Sequence, residues 1–413
     1  MPLPAATIIT AVVTGNPFQF DRVACLGPVF SADNGAKCVV LWLKIEQCLF
    51  FIQFIPMRTC FTGVFGLGLG LSSRQSYAHP KVRFMTAAHI PIEHAAKTPV
   101  LLAPLAGITD LPFRNLVSQF GASLVVSEMV ASHEMMQAKP STLAKAELGF
   151  DSANTAVQIA GREAYWMSEA AKLCAANGAK IIDINMGCPA KKVTSGYSGS
   201  ALLRDLDLAV SLIAAVVAAV DVPVTLKTRL GWDDDSHNAA ELAKRAEAEG
   251  IAWITIHGRT RCQFYKGSAD WAAISKIKQA VKIPVFANGD IVDDVSAKRA
   301  LKVSGADGIM VGRGAQGRPW QLATIASKLW GASAPNVPKG QARADLISGH
   351  YQDMLSFYGA DLGGRNARKH LGWYLDDVEC PPELRREIMT QKSVELVPQL
   401  ISEAMSFPER VPA

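Results

Sequence analysis

The chain of 413 residues is longer than one ordinary domain, 49% hydrophobic and 19% charged, with a formal charge of +5; this excludes a disordered or fibrous protein and predicts one large domain with a smaller companion. Residues 1–95 hold 7 Lys and Arg against 4 Asp and Glu, leaving 35 against 33 in the remainder, so bulk charge identifies no partner. Eight cysteines without a CxxC pair exclude a disulfide scaffold and a structural zinc site, and predict a reducing, cytoplasmic setting.

The first 95 residues differ from the rest. They contain half the cysteines, the run "CLFFIQFIPM" and the stretch "GVFGLGLGLSS", which lacks helical or strand periodicity. A membrane helix needs about 20 apolar residues, and Lys44, Glu46, Gln53, Pro56 and Arg58 interrupt every candidate window. A signal peptide needs a basic start that "MPLPAATIIT" lacks. The segment reads as an atypical, poorly ordered extension outside the working protein, with Met85 as an alternative start.

From residue 98 short apolar or β-branched runs alternate with stretches of helical spacing. The runs are "PVLLAPLAG" (99–107), "ASLVVSEMV" (122–130), "TAVQIAG" (155–161), "KIIDINMG" (180–187), "VPVTLKTRLG" (222–231), "AWITIHGRT" (252–260), "IPVFANGD" (283–290) and "DGIMVGRG" (307–314). Between them lie helical stretches such as "HNAAELAKRAEAEGI", closed by a glycine suited to a helix end. Eight β-α units predict an α/β protein, a TIM (β/α)8 barrel over residues 96–330. A doubly wound sheet is the alternative, because "GRGAQG" (312–317) fits GxGxxG; it sits in the last unit, and no acidic residue between 318 and 344 is available to hold a ribose. Residues 331–340, "GASAPNVPKG", read as a linker, and 341–413 as a small helical bundle.

Barrel chemistry sits at the C-terminal strand ends. Those ends present Pro104 to Gly107, Glu128, Gln158, Asn185 with Cys188, Lys227 with Arg229, His257 with Arg259, Asn288 to Asp290, and Gly312 with Arg313. One such residue is ordinarily a loop flank; this many are not. "NGD" and "GRG" close the seventh and eighth runs, where barrels bind phosphate through backbone N–H groups, with Arg313 as a bidentate partner. A phosphorylated cofactor there lies within reach of Gln158 and Lys227. Cys174 and Cys262 read as small buried hydrophobes.

Together "APLAGITDLPFR", "QIAG", "DINMGCP", "KTRLGW", "IHGRT", "NGDI", "GRGAQGRPW" and "RKHLGWY" resemble the tRNA-dihydrouridine synthases, and within them the bacterial B-type branch. Residues 1–95 match nothing in that pattern. The resemblance implies FMN, reduced by NADPH or NADH, saturating the C5=C6 bond of a D-loop uridine. Its flavin contacts fall on Pro104, Leu105, Ala106, Gln158, Lys227, Asn288, Gly289, Asp290, Gly312 and Arg313, with His257 beside them. Its catalytic cysteine falls on Cys188. Hydride arrives at C6 from the flavin face, so C5 needs an acid on the other face, and a thiol of ordinary pKa near 8.5 carries its proton at about pH 7. A nucleophile would need a base and a metal ligand would need companions. Neither is visible locally.

The same resemblance puts Asn185 on the uracil edge and Arg229 on the uracil or its phosphate. The base must be turned outward to reach the pocket. Lys191, Lys192, Arg229, Arg259, Arg261, Lys266 and Arg318 make the mouth locally basic, and Arg365, Arg368 and Lys369 share one face of a helix in a tRNA-binding domain. No membrane and no metal are expected, and the protein is expected to be monomeric. Two alternatives stand beside this: a dihydroorotate-type FMN barrel acting on a free pyrimidine, and a non-catalytic tRNA-binding factor.

Overall fold

The structure, a computed structural model, describes residues 43–45, 48–50 and 93–410. Expectations for the rest of residues 1–95, Met85 included, lie outside the described residues. Leu43–Ile45 pairs antiparallel with Cys48–Phe50, so part of the apolar run is strand.

Eight strands form a parallel barrel: β1 (Val100–Leu102), β2 (Leu124–Val126), β3 (Thr155–Ala160), β4 (Ile181–Met186), β5 (Val224–Arg229), β6 (Trp253–His257), β7 (Val285–Asn288) and β8 (Gly308–Val311). Each pairs with the next, and β8 returns to β1 in the register Ile309↔Val100, closing the barrel. Strands buried on both faces read as continuous apolar runs, which is why all eight are visible in the sequence. They are shorter than those runs. The first ends at Leu102 because Pro104 has no N–H to give the ladder, and Gly107 at φ 71° turns the chain away.

Helices α1 (Leu111–Gln119), α2 (Ser132–Met136), α3 (Ala164–Ala176), α4 (Leu206–Ala219), α5 (Ala239–Ala248), α6 (Trp271–Ala280), α7 (Asp294–Ser304) and α8 (Gln321–Trp330) follow the strands in turn. Acidic N-caps start four of them: Asp110, Asp205 and Asp270 accept from the helix backbone, and Asp293 forms a reciprocal box with Ser296. Each such cap contributes about 1 kcal/mol. Leu101, Leu124, Ile181, Trp253, Phe286 and Met310 fill the barrel interior, joined by Ala95 from a one-turn helix, Glu93–Lys97.

Four further helices, α9 (Gly340–Tyr358), α10 (Ala360–Leu375), α11 (Pro382–Thr390) and α12 (Val397–Ala404), have their own core around Ile347, Tyr351, Leu371, Tyr374 and Ile401. They join the barrel at α1. The Phe113 ring lies 5.8 Å from His350 and 5.2 Å from His370. Arg318 and Arg343 share Asp377 at 2.6 and 2.8 Å. Tyr358 donates to Asp110 Oδ2 at 3.0 Å, and Lys369 Nζ donates to the Gly107 carbonyl. Arg318, expected at the mouth, is thus spent on the domain junction.

Asp110 at this junction yields a pH prediction. Burial pushes its carboxyl up from 3.8 to about 6, with Glu128 adding to the rise and Phe113 N–H, Tyr358 and Lys369 opposing it. Since the folded value lies above the unfolded one, its favourable contribution is fully present below about pH 4 and is lost as pH rises through about 6. Asp110→Asn, which keeps an acceptor for Phe113, should flatten the fall in unfolding free energy between these values, a change on the order of 2–3 kcal/mol. Urea titrations at pH 4.5 and 7.5 measure it; parallel shifts for both proteins would refute the assignment.

Among the described residues no helix is long and apolar enough to cross a membrane, and no cluster of three His, Cys, Asp or Glu could hold a metal ion.

Candidate active site

The C-terminal strand ends enclose a cavity of about 720 Å³, within the range of cofactor pockets. Pro104, Leu105, Ala106, Gln158, Lys227, His257, Asn288, Gly289, Asp290, Gly312 and Arg313 all line it, together with Asn185, Cys188 and Arg229. With Met129 from the segment after β2, residues from all eight strand ends meet there, because a barrel brings its strand ends to one rim.

Cys188 is half-buried on the turn after β4. Asn185 shapes that turn: its Oδ1 accepts from Gly187 N at 3.2 Å and Cys188 N at 3.0 Å, while its Nδ2 donates to Gln158 Oε1 at 2.7 Å. The uracil edge was the expected partner; these bonds use the amide oxygen and one of the two Nδ2 hydrogens, and Asn185 still lines the cavity. Ser200 fixes the other side, donating from N and Oγ to the Cys188 carbonyl. Arg229 likewise turns inward. It is 2% exposed and donates to the carbonyls of Gly187, Thr260 and Phe264 at 2.8, 2.9 and 2.9 Å. It ties the cysteine turn to the loop after β6.

Lys227 Nζ donates to Asn288 Oδ1 at 3.1 Å. Burial pulls its ammonium down to about 8, Arg229 adds repulsion, and Asp183 and Cys188 pull the other way. His257 is held well below its ordinary 6.5 by burial and by Arg229, Lys227, Arg259 and Arg313 around it. It is neutral at pH 7. Arginine cannot accept, so the 3.3 Å contact from Arg259 Nη1 makes His257 Nε2 the acceptor.

At the ends of β7 and β8, the backbone N–H groups of Gly289, Asp290, Gly312 and Arg313 find no acceptor among the described residues. Gly289 has φ 110°, and a Cβ there would come within 2.8 Å of the His257 ring, so the close backbone approach requires glycine. The carboxylate of Asp290 is taken: it accepts from Arg259 Nη1 and Nη2 at 3.0 and 2.5 Å, Ala269 N at 2.7 Å and Arg313 Nη2 at 3.1 Å. Its part in gripping a phosphate is left to its main chain. Arg313 remains 54% exposed, with donors to spare for an anion. Arg259, expected at the RNA face, is 2% exposed and also binds the carbonyls of Lys266 and Gly267. These orphan donors, the arginine and the cavity size suit a phosphorylated cofactor such as a flavin mononucleotide.

Outside the cavity, Lys191 and Lys192 are exposed on the short helix Lys191–Thr194. Arg365 is exposed and Arg368 half-buried on α10, but Lys369 turns back to Gly107 and leaves that face. Cys174 is buried and its thiol is pushed up to about 12 by that burial. Cys262, expected inside, is exposed because it lies on the loop after β6 rather than within the strand. Two residues escaped the sequence reading. Tyr265 lines the cavity beneath the guanidiniums of Arg229 and Arg313, 5.6 and 5.5 Å from its ring; aromatic loop residues carry no periodic signal. Asp183 sits two residues before Asn185, so strand alternation aims both into the barrel, and that spacing was the available clue.

A closed parallel barrel with orphan donors and an arginine at its seventh and eighth strand ends, and a half-buried thiol at the same cavity, has the build of a barrel enzyme. The family described as dihydrouridine synthase matches residues 101–406. A probable tRNA-dihydrouridine synthase of Rhodobacter capsulatus is 61% identical over 309 residues, covering 75% of this chain and 95% of that protein. The tRNA-dihydrouridine synthase B of Vibrio vulnificus is 47% identical over 295 residues, covering 70% and 90%. Histamine dehydrogenase from Rhizobium sp. 4-9 aligns with 61% of this chain and 48% of its own at 13% identity and a TM-score of 0.43, too distant to carry weight. The chain belongs to the dihydrouridine synthase family.

Proposed function

We propose that the protein reduces the C5=C6 bond of uridines in the tRNA D-loop, with FMN as cofactor and NADPH or NADH as reductant. The observation that supports this most is the meeting of Cys188 with the orphan donors of Gly289, Asp290, Gly312 and Arg313 around one cavity. Those donors and Arg313 hold the cofactor phosphate; Pro104, Leu105, Ala106, Gln158, Lys227, His257 and Asn288 hold the rest. FMN, when bound, supplies the hydride for C6. Cys188 keeps its proton until C5 needs it and delivers it to the face of the uracil ring turned away from the cofactor. Lys227, still mainly protonated at pH 7 with its value near 8, steadies the negative charge that builds on a carbonyl oxygen.

The target base leaves the stack to enter the cavity, and contacts elsewhere offset that cost. Lys191 and Lys192 beside the cavity, and Arg365 and Arg368 on α10, face the tRNA backbone, while Lys369 anchors the helical domain to the first barrel loop. The enzyme works as a cytoplasmic monomer. Purified protein should show flavin absorbance and oxidise NADPH faster with tRNA lacking dihydrouridine than with fully modified tRNA. Colourless protein would favour a binding factor, and stimulation by free pyrimidine alone would favour a dihydroorotate-type enzyme.

A further inference from the structure

Beneath the thiol a file of polar side chains runs across three strands, and its deepest member, Asp183, has no part in the chemistry above. Register puts Gln158 of β3 opposite Asp183 of β4, and Asp183 opposite Thr225 of β5. Asp183 is 2% exposed. Thr225 Oγ1 donates to its Oδ1 at 2.5 Å and Gln158 Nε2 to its Oδ2 at 2.6 Å. Gln158 Oε1 in turn accepts from Asn185 Nδ2, and Asn185 Oδ1 accepts from Gly187 N and Cys188 N.

Each amide in this file has one workable orientation. Two backbone N–H groups face Asn185, so its oxygen must face them and its NH2 must face Gln158. Gln158 therefore presents its oxygen to Asn185 and its NH2 to Asp183, which must accept. With an acceptor at the buried end the sense of the whole file is fixed. Without one, Gln158 is free to flip, and a flipped Asn185 would set NH2 against N–H at the cysteine turn.

We propose that Asp183 is a positioning residue that, through Gln158 and Asn185, holds the turn bearing Cys188 in place. Its effect on turnover rests on the reading of Cys188 as the acid; its effect on the thiol does not. A rival role is to balance the charge of Lys227.

The test uses full-length protein carrying Cys262→Ser, which removes the thiol exposed among the described residues, and follows iodoacetamide alkylation of Cys188 by its own peptide in mass spectrometry alongside steady-state kinetics. Asp183→Ala should change the alkylation rate at least about fivefold and lower kcat roughly 10–100-fold with KM for tRNA little altered, the order of loss expected when an orienting partner behind the reacting residue is removed, here three hydrogen bonds from the Cys188 turn. Asp183→Asn can accept from Gln158 with Oδ1 and donate to Thr225 with Nδ2, and should restore both readouts. Unchanged thiol reactivity in Asp183→Ala overturns the proposal. So does an Asp183→Asn protein as damaged as Asp183→Ala, which would assign the carboxylate to Lys227. If Asp183→Ala does not fold, Gln158→Met breaks the same file with the carboxylate kept, and a wild-type alkylation rate there is equally fatal. Altered alkylation with normal turnover supports the positioning role and overturns Cys188 as the acid.

Discussion

Cys188→Ala should lower dihydrouridine formation by on the order of 10²–10⁴-fold, the contribution of a positioned proton donor, while flavin content and tRNA affinity stay as in the wild type. The split follows from where the side chain lies. Its backbone N–H and carbonyl are held by Asn185 and Ser200, and alanine keeps both, so the turn survives. Only the thiol at the cavity is removed. Single-turnover reduction of tRNA by prereduced protein measures the loss directly. A wild-type rate would end the assignment of Cys188 as proton donor. Cys188→Ser separates acidity from polarity: a hydroxyl is a far weaker acid than a thiol, and its activity should stay close to that of the alanine variant.

Asp290→Ala should be the most damaging single change at the ends of β7 and β8. It strips the carboxylate from the buried Arg259 guanidinium, and the uncompensated charge costs about 2–3 kcal/mol, less than the ~3–5 of a fully buried pair because Asp290 keeps 28% of its side chain in solvent. Arg259 also gathers the carbonyls of Lys266 and Gly267, so the loop after β6 loosens with it and flavin retention falls. The pH dependence has a defined sign. Burial would raise the Asp290 carboxyl, but the bonds and charges of Arg259, Ala269 N–H and Arg313 overcome it and hold it below 3.8. Its contribution is therefore fully present above about pH 4 and is lost as pH falls through the lowered value. Urea unfolding of the variant at pH 7 should show the deficit, and the deficit should shrink toward pH 3. An unchanged midpoint at pH 7 would mean the pair adds nothing.

The barrel was legible because a strand covered on both faces has to be apolar throughout, and a run such as "KIIDINMG" (180–187) needs no partner to be recognised. Its ends were less so, since a ladder stops where a proline or a positive φ intervenes, as at Pro104 and Gly107. The cavity residues were found because a rim collects strand ends and because the motifs are distinctive. Their hydrogen bonds were not. Arg229 reads as a ligand alone, yet its Nη1 is also bound to the carbonyls of Thr260 and Phe264, over thirty residues later, while the side chain lines the cavity. Arg259 and Arg318 mislead in the same way, because Asp290 and Asp377 lie 31 and 59 residues off. A charge is read locally in a sequence, but its counter-ion is chosen by the fold.

Tyr358 and Lys369 reach back across 248 and 262 residues to Asp110 and Gly107. A ribosome makes the barrel first, and N-terminal units fold as they emerge. Until the last helices leave the exit tunnel, the first barrel loop lacks its tyrosine and lysine, and Phe113 lacks its histidine neighbours. The earliest-made corner of the cavity is thus the last to be finished, so a nascent chain stalled short of α10 holds a nearly complete barrel whose first loop still lacks the Lys369 brace.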